Sequence, residues 1–454
     1  MDLEVPVALL LFAGAIAVAL SAGWRRGVLS PAFWWTLSAF AYTMLPLPTV
    51  LSVEYVQTKS YFIPKSSIYE YVLFTGAVSL AMAVGWRLGW SRHKGGAGDP
   101  SGVFPVPSLS VKRLFMVQAA GVVLIFAGTV LSGINPTYLL TTVSSAGYAF
   151  YQPGEFRFAI LNAIGGGLTH LTPPVILLLA MRTPGTRLKV AALLNYSLFL
   201  VLGVLSGVRG SVLGYLIVTV LLFVAVPPKS VAGKRVRVSI AVLVAVGALA
   251  FYQIAIWMQN ARGAGGETDR RSLRDLALYL DLLTPSAAMV EWVRTNGFGP
   301  GVSIRDAIIQ APPSFIIPVQ ERAEFLQIVD VINAPNVGAA VSSAAELYYN
   351  AGWLAGIALM LLLGYWLGRL QNRAEVHDTD ARYLLMLVVL SPAFMGIASR
   401  GYLWGTIVGL SSALVYPWLI ARLARGPKPS DGQIAVTGNP PATTRRVRIT
   451  SARR

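Results

Sequence analysis

The sequence predicts an all-α polytopic membrane protein, with about 11 transmembrane helices and a large, partly helical extracytoplasmic loop. Of the 454 residues, 55% are hydrophobic and only 13% are charged, whereas roughly 25% of the residues of a soluble domain are charged. The mean hydropathy is +0.61. Apolar stretches of the length that a bilayer requires also recur along the chain.

Hydropathy marks eleven segments that are long enough, or nearly long enough, to cross a membrane. An odd number of spans places the two termini on opposite sides. The first segment follows Asp2 and Glu4, not basic residues, so it is predicted to be a span and not a cleaved signal peptide. We expect one membrane domain over residues 1–425, followed by a tail over residues 426–454. The segments lie near residues 5–23, 31–50, 68–90, 113–132, 158–181, 190–206, 211–226, 240–258, 350–369, 383–399 and 403–421.

The basic residues indicate the orientation of these spans. One alternate set of connections, together with the C-terminal tail, holds 25 Lys and Arg residues, and the other set holds 12. By the positive-inside rule the first set is cytoplasmic, which puts the N-terminus outside and the C-terminus in the cytoplasm. The net charge of +17 is therefore mainly an orientation signal, and nucleic-acid binding is the weaker interpretation. The tail, rich in Pro, Gly, Thr and Arg, is predicted to be disordered and attracted to anionic lipid.

Several classes of enzyme lack support in the sequence. The chain has no cysteine, and its three histidines, His93, His170 and His377, are too scattered for a zinc site. No P-loop, HExxH or GxSxG motif occurs. The longest internal cytoplasmic connection is about 20 residues, too short for a nucleotide-binding domain. We therefore predict no metal ion and no cofactor.

The predicted outer face is enriched in arginine. Ten of its 12 basic residues are Arg, and two of these lie in Arg-Gly pairs between apolar segments, Arg209-Gly210 and Arg400-Gly401. A guanidinium binds phosphate in a bidentate manner, and glycine lets backbone N–H groups approach a ligand. The pattern predicts a site for a phosphate or pyrophosphate. GC-rich codon usage, which also favours Arg, is the alternative explanation of the enrichment.

Two further arginines, Arg157 and Arg262, also fall close to predicted outer span ends. A folded bundle would bring them together with Arg209 and Arg400 around one cavity, and the four together favour an anion site. The alternative is that each is an interfacial anchor whose apolar stem lies along the lipid. The other arginines of the large loop lie among nine acidic residues, so we expect most of them to be solvated or paired.

Three more residues are candidates for contact with a substrate. Glu346 lies at the outer mouth of a predicted span, where a carboxylate acts as a general base, holds a sugar hydroxyl or simply pairs with an arginine. Tyr348, in the same stretch, is a predicted substrate contact. His170 lies between a triple glycine and Pro173-Pro174, a pattern typical of a discontinuous helix that lines a cavity. The alternative for His170 is a side chain satisfied by a neighbouring helix.

The predicted outer loop over residues 259–340 is about 80 residues long, which favours a functional role. Capping and proline signals predict that it folds into short helices. These helices either lie on the bilayer as a cap or pack on the bundle, and packing is favoured. A smaller outer connection over residues 133–157 carries aromatic residues that suit either sugar rings or membrane anchoring. The predicted loop helices begin at Ser272, Thr284, Ser303 and Glu321, and the second ends at Gly297.

At Ser206–Ser211, Glu346–Trp353 and Arg400-Gly401 the chain resembles the bacterial O-antigen and capsule repeat-unit polymerases, the Wzy-type family. The layout of the spans and outer loops is also similar to that family. The resemblance implies a GT-C-like membrane glycosyltransferase at the outer face of the bacterial inner membrane. Such an enzyme moves a growing chain from undecaprenyl pyrophosphate onto the next lipid-linked repeat unit.

The resemblance also implies roles for the candidate residues. Arg209 and Arg400 would hold the donor pyrophosphate and stabilise the charge that develops as it leaves. Arg157 and Arg262 would support them, and Glu346 would orient or deprotonate the acceptor hydroxyl. The implied partners are a lipid-linked oligosaccharide, the membrane and a chain-length regulator protein. The outer-loop motif described for some members of the family is not met here, so the donor and acceptor loops stay unassigned.

Two other functions remain open at the level of sequence. An O-antigen ligase shares the donor and differs only in the acceptor. A transporter or flippase of lipid-linked sugars would usually show charged residues within its spans and an internal repeat, whereas here the centres of the spans hold essentially no Asp, Glu, Lys or Arg and no repeat is visible. A structural membrane protein would not need clustered outer arginines.

Overall fold

The structure, a computed structural model, is built almost entirely from helices. One small hairpin is present in the described part of the chain, where Val56 pairs with Ile63 and Gln57 with Phe62 in antiparallel register. The structure describes residues 3–52, 56–57, 62–91, 104, 108–131, 159–205, 209–226, 282–310, 324–332, 341–376, 381–399 and 403–426.

We number the described helices and strands in chain order. The first helices are α1 (Glu4–Leu20), α2 (Trp24–Leu29), α3 (Pro31–Met44) and α4 (Leu47–Leu51), followed by β1 (Val56–Gln57) and β2 (Phe62–Ile63). The central helices are α5 (Lys65–Ser91), α6 (Val111–Leu131), α7 (Ala159–Arg182), α8 (Thr186–Leu205) and α9 (Arg209–Ala225). The last are α10 (Leu283–Asn296), α11 (Val302–Gln310), α12 (Glu324–Ile332), α13 (Ser343–Val376), α14 (Ala381–Ser399) and α15 (Leu403–Leu423).

Six of the described helices are long and apolar enough to cross a membrane, namely α5, α6, α7, α8, α13 and α14. Three shorter apolar helices lie in α1, α9 and α15. Large apolar side chains remain exposed along α6 and α8, as expected where a helix faces lipid; examples are Met116, Val123, Phe126, Leu194 and Leu198. The prediction of an all-α membrane protein is therefore confirmed. The predicted segment 240–258 lies outside the described residues, and the total number of spans stays a prediction.

Helices α5 and α13 run parallel and touch backbone to backbone. A Cβ atom on Gly85 would lie 2.0 Å from the carbonyl oxygen of Leu361, and one on Gly364 would lie 2.1 Å from that of Met82. A spacing of four residues places both glycines of each helix on one face, the pattern that lets membrane helices approach closely. Only glycine fits these positions. The contact is made by Gly85 and Gly89 of α5 and by Gly364 and Gly368 of α13.

Hydrogen bonds tie the C-terminal ends of the same two helices together. The indole of Trp86 donates to Gln371 Oε1 at 2.9 Å, and the indole of Trp90 donates to Glu375 Oε1 at 3.1 Å. Arg26 in α2 also donates to Glu375, over 3.0 Å. Helix α2 is thereby fixed to the C-terminal ends of α5 and α13, which are predicted to be cytoplasmic.

Two apolar clusters form the core. The first is built around α1, α3, α5 and α13, and the second around α6, α7, α9 and α15. Helix α14 contributes to both, with Phe394 in the first cluster and Val388 in the second. The polar contact between Ser38 Oγ and the carbonyl oxygen of Met395, 2.8 Å, further fixes α3 to α14. Helix α14 therefore joins the two halves of the described bundle.

Of the two interpretations of the sequence around His170, the structure contradicts the discontinuous helix. Helix α7 runs continuously through Pro173 and Pro174. The glycines before them provide close packing instead, since a Cβ on Gly165 would lie 2.5 Å from the carbonyl oxygen of Gly121 in α6. Because neighbouring helices pack around α7, the two prolines are accommodated without unwinding.

Three helices lie where the sequence predicted helices within residues 259–340, whereas the assignment of this region to an extracytoplasmic loop stays a prediction. Helix α10 begins at Leu283, beside the predicted Thr284, and ends at Asn296; Gly297, where the sequence predicted the end, caps it with a φ of 89° that suits a glycine. Helix α11 begins at Val302, and the described part of α12 begins at Glu324. Their buried faces, for example Met289 and Phe325, join the first apolar cluster, so α10 and α12 pack on the bundle as favoured. The predicted helix at Ser272 lies outside the described residues.

Polar contacts join helices α11 and α12. The backbone N–H of Phe325 donates to the buried carboxylate of Asp306 at 2.8 Å. Arg305 donates to Glu324, and this hydrogen bond is the main reason that the pKa of Arg305 lies above its usual value. Arg305 is thus paired, as expected for most arginines of this loop.

The glycine contact between α5 and α13 is testable by substitution. We expect Gly85→Ala to lower the free energy of unfolding by about 1–3 kcal/mol, because the added methyl group meets backbone and not a movable side chain. The measurement is thermal unfolding of the purified protein in detergent, followed by circular dichroism. Gly214→Ala in α9 is the matched control, since nothing lies within 4 Å of the added Cβ. Equal stability of the two variants would contradict the proposed role of Gly85.

Candidate functional site

The N-terminal ends of α5 and α13 meet in a polar cluster at the end of the bundle predicted to be outside. Glu70, in the second turn of α5, is its centre. The hydroxyl of Tyr348 donates to Glu70 Oε1 at 2.6 Å, and the indole N–H of Trp353 donates to the same oxygen at 3.1 Å. We call Glu70, Tyr348, Trp353 and Arg294 the Glu70 cluster.

Arg294 joins the cluster from loop helix α10. One of its terminal nitrogens, Nη2, lies 2.5 Å from Glu70 Oε2, and the other, Nη1, donates to the hydroxyls of Ser66 and Ser67 at 2.9 Å. Ser67 in turn donates to Glu291 at 2.6 Å. The loop helix is therefore held on the first turn of α5 by a network that spans two acids, two serines and one arginine.

A glycine kink brings both aromatic donors to Glu70. Helix α13 is interrupted at Gly352, where φ is 64° and ψ is −164°, a backbone conformation that only glycine adopts readily. Tyr348 precedes this kink and Trp353 follows it. Their two donors reach one carboxylate oxygen because the helix changes direction between them.

A cleft of about 850 Å³ opens beside the cluster. It presents two carboxylates, one guanidinium, one serine and two aromatic rings, and the other two lining residues are leucines. Carboxylates and guanidinium groups form hydrogen bonds with hydroxyl groups, and aromatic faces pack against the apolar faces of sugar rings. This set of groups suits a polyhydroxylated ligand. The cleft is lined by Leu3, Glu4, Ser66, Tyr69, Glu70, Leu73, Arg294 and Trp353.

Two of the sequence-predicted residues lie in or next to this site. Tyr348 is part of the Glu70 cluster, although it is buried and reaches the cleft only through Glu70. Glu346 lies half a turn earlier on α13 and is also buried. Its backbone carbonyl accepts a hydrogen bond from Asn350 at 2.9 Å. The role of Glu346 as a general base stays a prediction.

His170 lies elsewhere in the bundle. Its ring is 6.0 Å from that of Tyr215 in α9, edge to face, and Tyr215 stacks on Tyr196 of α8 at 4.8 Å. The residues that flank His170 belong to the second apolar cluster, whereas Tyr348 belongs to the first. The structure therefore does not bring His170 to the Glu70 cluster, and its contact with a neighbouring helix fits the alternative interpretation.

The four arginines predicted to bind an anion are only partly covered by the structure. Arg209 is the first residue of α9, and its side chain lies outside what is described. Arg157, Arg262 and Arg400 lie outside the described residues, as do the aromatic connection 133–157 and most of the basic tail. Their convergence on one cavity remains a prediction.

Sequence reasoning missed three residues of the site, Glu70, Arg294 and Trp353. A signal for Glu70 was present, because a carboxylate two residues inside an apolar segment is by default a functional candidate. Arg294 was expected to be solvated or paired, and it is paired. Trp353 lies in the motif around Glu346, but no local signal indicated that it faces Glu70.

No family model, curated protein or solved structure matches this chain. Its function is therefore inferred from its own residues and their geometry. Within the described residues there is no group of three or more His, Cys, Asp or Glu side chains placed to bind a metal ion.

The ion pair between Glu70 and Arg294 can be tested by a double-mutant cycle. We expect Glu70→Gln and Arg294→Ala to couple by about 0.5–1 kcal/mol in unfolding free energy, since the Arg294 side chain is 39% exposed and partly screened by solvent. The measurement is unfolding of the two single variants and the double variant. Glu70→Gln combined with Arg305→Ala is the control cycle, because Arg305 pairs with Glu324 instead. Additive effects in both cycles would contradict the pairing.

The kink at Gly352 yields a separate prediction. We expect Gly352→Ala to cost about 1–3 kcal/mol, because an L-residue is strained at this φ and ψ and the added Cβ would approach Phe298 within 3.1 Å. Relief of the strain would move Trp353 away from Glu70. The measurement is unfolding together with tryptophan fluorescence, using Trp353→Phe to identify the signal. An unchanged Trp353 signal and unchanged stability would show that the kink is not needed.

Proposed function

We propose that this protein is a polymerase that joins undecaprenyl-pyrophosphate-linked oligosaccharide repeat units at the outer face of the bacterial inner membrane. In the proposed topology eleven spans place the N-terminus outside and the C-terminus in the cytoplasm. The Glu70 cleft and both Arg-Gly pairs then share the outer face. The partners are the lipid-linked oligosaccharides, the membrane and a chain-length regulator protein.

One observation supports this proposal most directly: an apolar helix begins at the first Arg-Gly pair and another begins shortly after the second pair in the sequence. Helix α9 begins at Arg209, and α15 begins at Leu403, two residues after Gly401. The first backbone N–H groups of a helix have no partner within it, and the helix dipole favours an anion there. An arginine beside such an end adds a bidentate donor for phosphate oxygens.

The roles of the residues follow from this placement. Arg209 and Arg400 bind the donor pyrophosphate, with Arg157 and Arg262 in support. The bond between the donor sugar and the pyrophosphate breaks, and the lipid pyrophosphate leaves with the electron pair. A hydroxyl of the acceptor sugar forms the new glycosidic bond and gives its proton to a carboxylate.

Two carboxylates are candidates for that base. Glu346 is the residue that the sequence indicates, and it is buried in the structure. Glu70 lines the open cleft, where it is 22% exposed and accepts hydrogen bonds from Tyr348 and Trp353. We therefore place the acceptor sugar in the cleft beside Glu70, within reach of its hydroxyl-binding groups.

The test is reconstitution of the purified protein with undecaprenyl-pyrophosphate oligosaccharides, with product length read on a gel. We expect a ladder of lengths from the unmodified protein. Arg209→Ala and Arg400→Ala should each lower the rate about 10²–10³-fold, the usual cost of removing a group that stabilises developing charge. Arg209→Lys should recover only part of the rate, because lysine lacks the bidentate fork.

Arg373→Ala is the matched control, since Arg373 lies in the last turn of α13 at the predicted cytoplasmic end. It should leave the ladder unchanged. A single addition to a lipid A-type acceptor, without a ladder, would favour a ligase. Movement of the lipid-linked sugar across the membrane without any new bond would favour a transporter and reject the polymerase.

A further inference from the structure

Helix α1 lies beside α5, and its contacts fix the relative position of the two helices. A Cβ atom on Gly76 would lie 3.1 Å from the Cβ atom of Leu11. Further along, Arg87 Nε donates a hydrogen bond to the hydroxyl of Ser21 at 3.1 Å. Each contact joins a residue of the first helix to one about 66 positions later in the chain. The two helices therefore run parallel with a constant offset.

The same offset joins Glu4, the first residue of α1, to Glu70 in the second turn of α5. Because residues rise equally along two parallel α-helices, the two carboxylates lie at the same level of the bundle. Both glutamates line the cleft of about 850 Å³ beside the Glu70 cluster. Two adjacent helices thus present one carboxylate each to a ligand in this cleft.

The two carboxylates differ in how far their acceptor sites are already used. An ionised carboxylate has about four lone-pair sites that accept hydrogen bonds. Three donors of the Glu70 cluster already bond to Glu70. Glu4 is half-buried, does not cap its own helix, and has no hydrogen bond or ion pair with any residue that the structure describes. Most of the open acceptor capacity of the cleft therefore belongs to Glu4.

The donors of the cleft are mainly committed to other partners. The hydroxyl of Tyr348 and the indole of Trp353 donate to Glu70, and Arg294 donates to the same carboxylate and to two serines. A ligand that binds here must consequently supply hydrogen-bond donors. The hydroxyl groups of an uncharged sugar do so, whereas a sugar carboxylate or a phosphate only adds acceptors.

We propose that Glu4 is a sugar-binding residue and that it selects an uncharged sugar for the cleft. Its carboxylate accepts hydrogen bonds from two neighbouring hydroxyls of one sugar ring, and the indole of Trp353 packs against the apolar face of that ring. A uronic acid is disfavoured here, because its carboxylate would meet that of Glu4. The assignment of this sugar as the acceptor rests on the proposed polymerase function, whereas its binding does not.

The first test requires no catalysis. Isothermal titration calorimetry measures the binding of tetrasaccharides of glucose, galactose and mannose to the full chain in detergent. We expect at least one of them to bind, and to bind more tightly than the tetrasaccharide of the corresponding uronic acid. Glu4→Gln should weaken this binding about tenfold, because hydrogen bonds to a charged acceptor become hydrogen bonds to a neutral one. Thermal unfolding should be unchanged, since the described residues offer Glu4 no partner.

Glu324→Gln is the matched control, because Glu324 is an exposed carboxylate of α12 that does not line the cleft. It should leave sugar binding unchanged. The proposal would be overturned if no tetrasaccharide binds or if the uronic acids bind as tightly as the uncharged sugars. Equal affinity of the Glu4→Gln variant and the unmodified protein, or equal weakening by both variants, would overturn it as well.

The reconstituted reaction separates this proposal from the polymerase activity itself. With the lipid-linked acceptor varied, we expect Glu4→Gln to raise KM about tenfold and to change kcat little, because the variant loses binding and not chemistry. A product ladder with an unchanged KM would overturn the role of Glu4 and leave the polymerase standing. Sugar binding that depends on Glu4, without any ladder, would support the role of Glu4 and reject the polymerase.

Discussion

The glycine contact between α5 and α13 determines where the polar side chains of the bundle meet. With no side chain between them at Gly85 and Gly364, the two backbones are locked in one register. The same register brings polar partners together at both ends of the two helices. Glu70 meets Trp353, which is 283 residues later in the sequence, and Trp90 meets Glu375, which is 285 residues later. A slip of one turn along this contact would separate both polar pairs at once. The register therefore couples the site at one end to the helix anchoring at the other.

In the Glu70 cluster, hydrogen bonds between the side chains offset the cost of partly burying their charges. Removing a carboxylate and a guanidinium from water is costly, and the cost is offset only when hydrogen bonds satisfy both groups. Glu70 has three such donors, drawn from Tyr348, Trp353 and Arg294. They come from both sides of the Gly352 kink and from a loop helix. A site assembled from several segments in this way positions a carboxylate firmly at the wall of an open cleft.

The two ends of the bundle differ in chemistry. The cleft at the predicted outer end combines carboxylates, one arginine and aromatic rings, whereas that at the predicted cytoplasmic end is lined by three arginines. The sequence distribution agrees, since the predicted outer connections hold 15 of the 20 acidic residues and the inner ones hold most of the basic residues. A hydroxyl-rich ligand suits the first cleft.

The sequence by itself determined the membrane class and the local helices, including α10 and α11, because hydropathy, proline and glycine act over a few residues. Only the tertiary structure decided which side chains meet. Glu70 and Arg294 are 224 residues apart, and their contact depends on the register of α5 with α13 and on the docking of α10. The tertiary structure also decided that α7 continues through Pro173 and Pro174, because neighbouring helices pack around it although the local sequence is compatible with a break. Long-range contacts of this kind leave no periodicity in the chain, which is why the Glu70 cluster could not be predicted from the sequence.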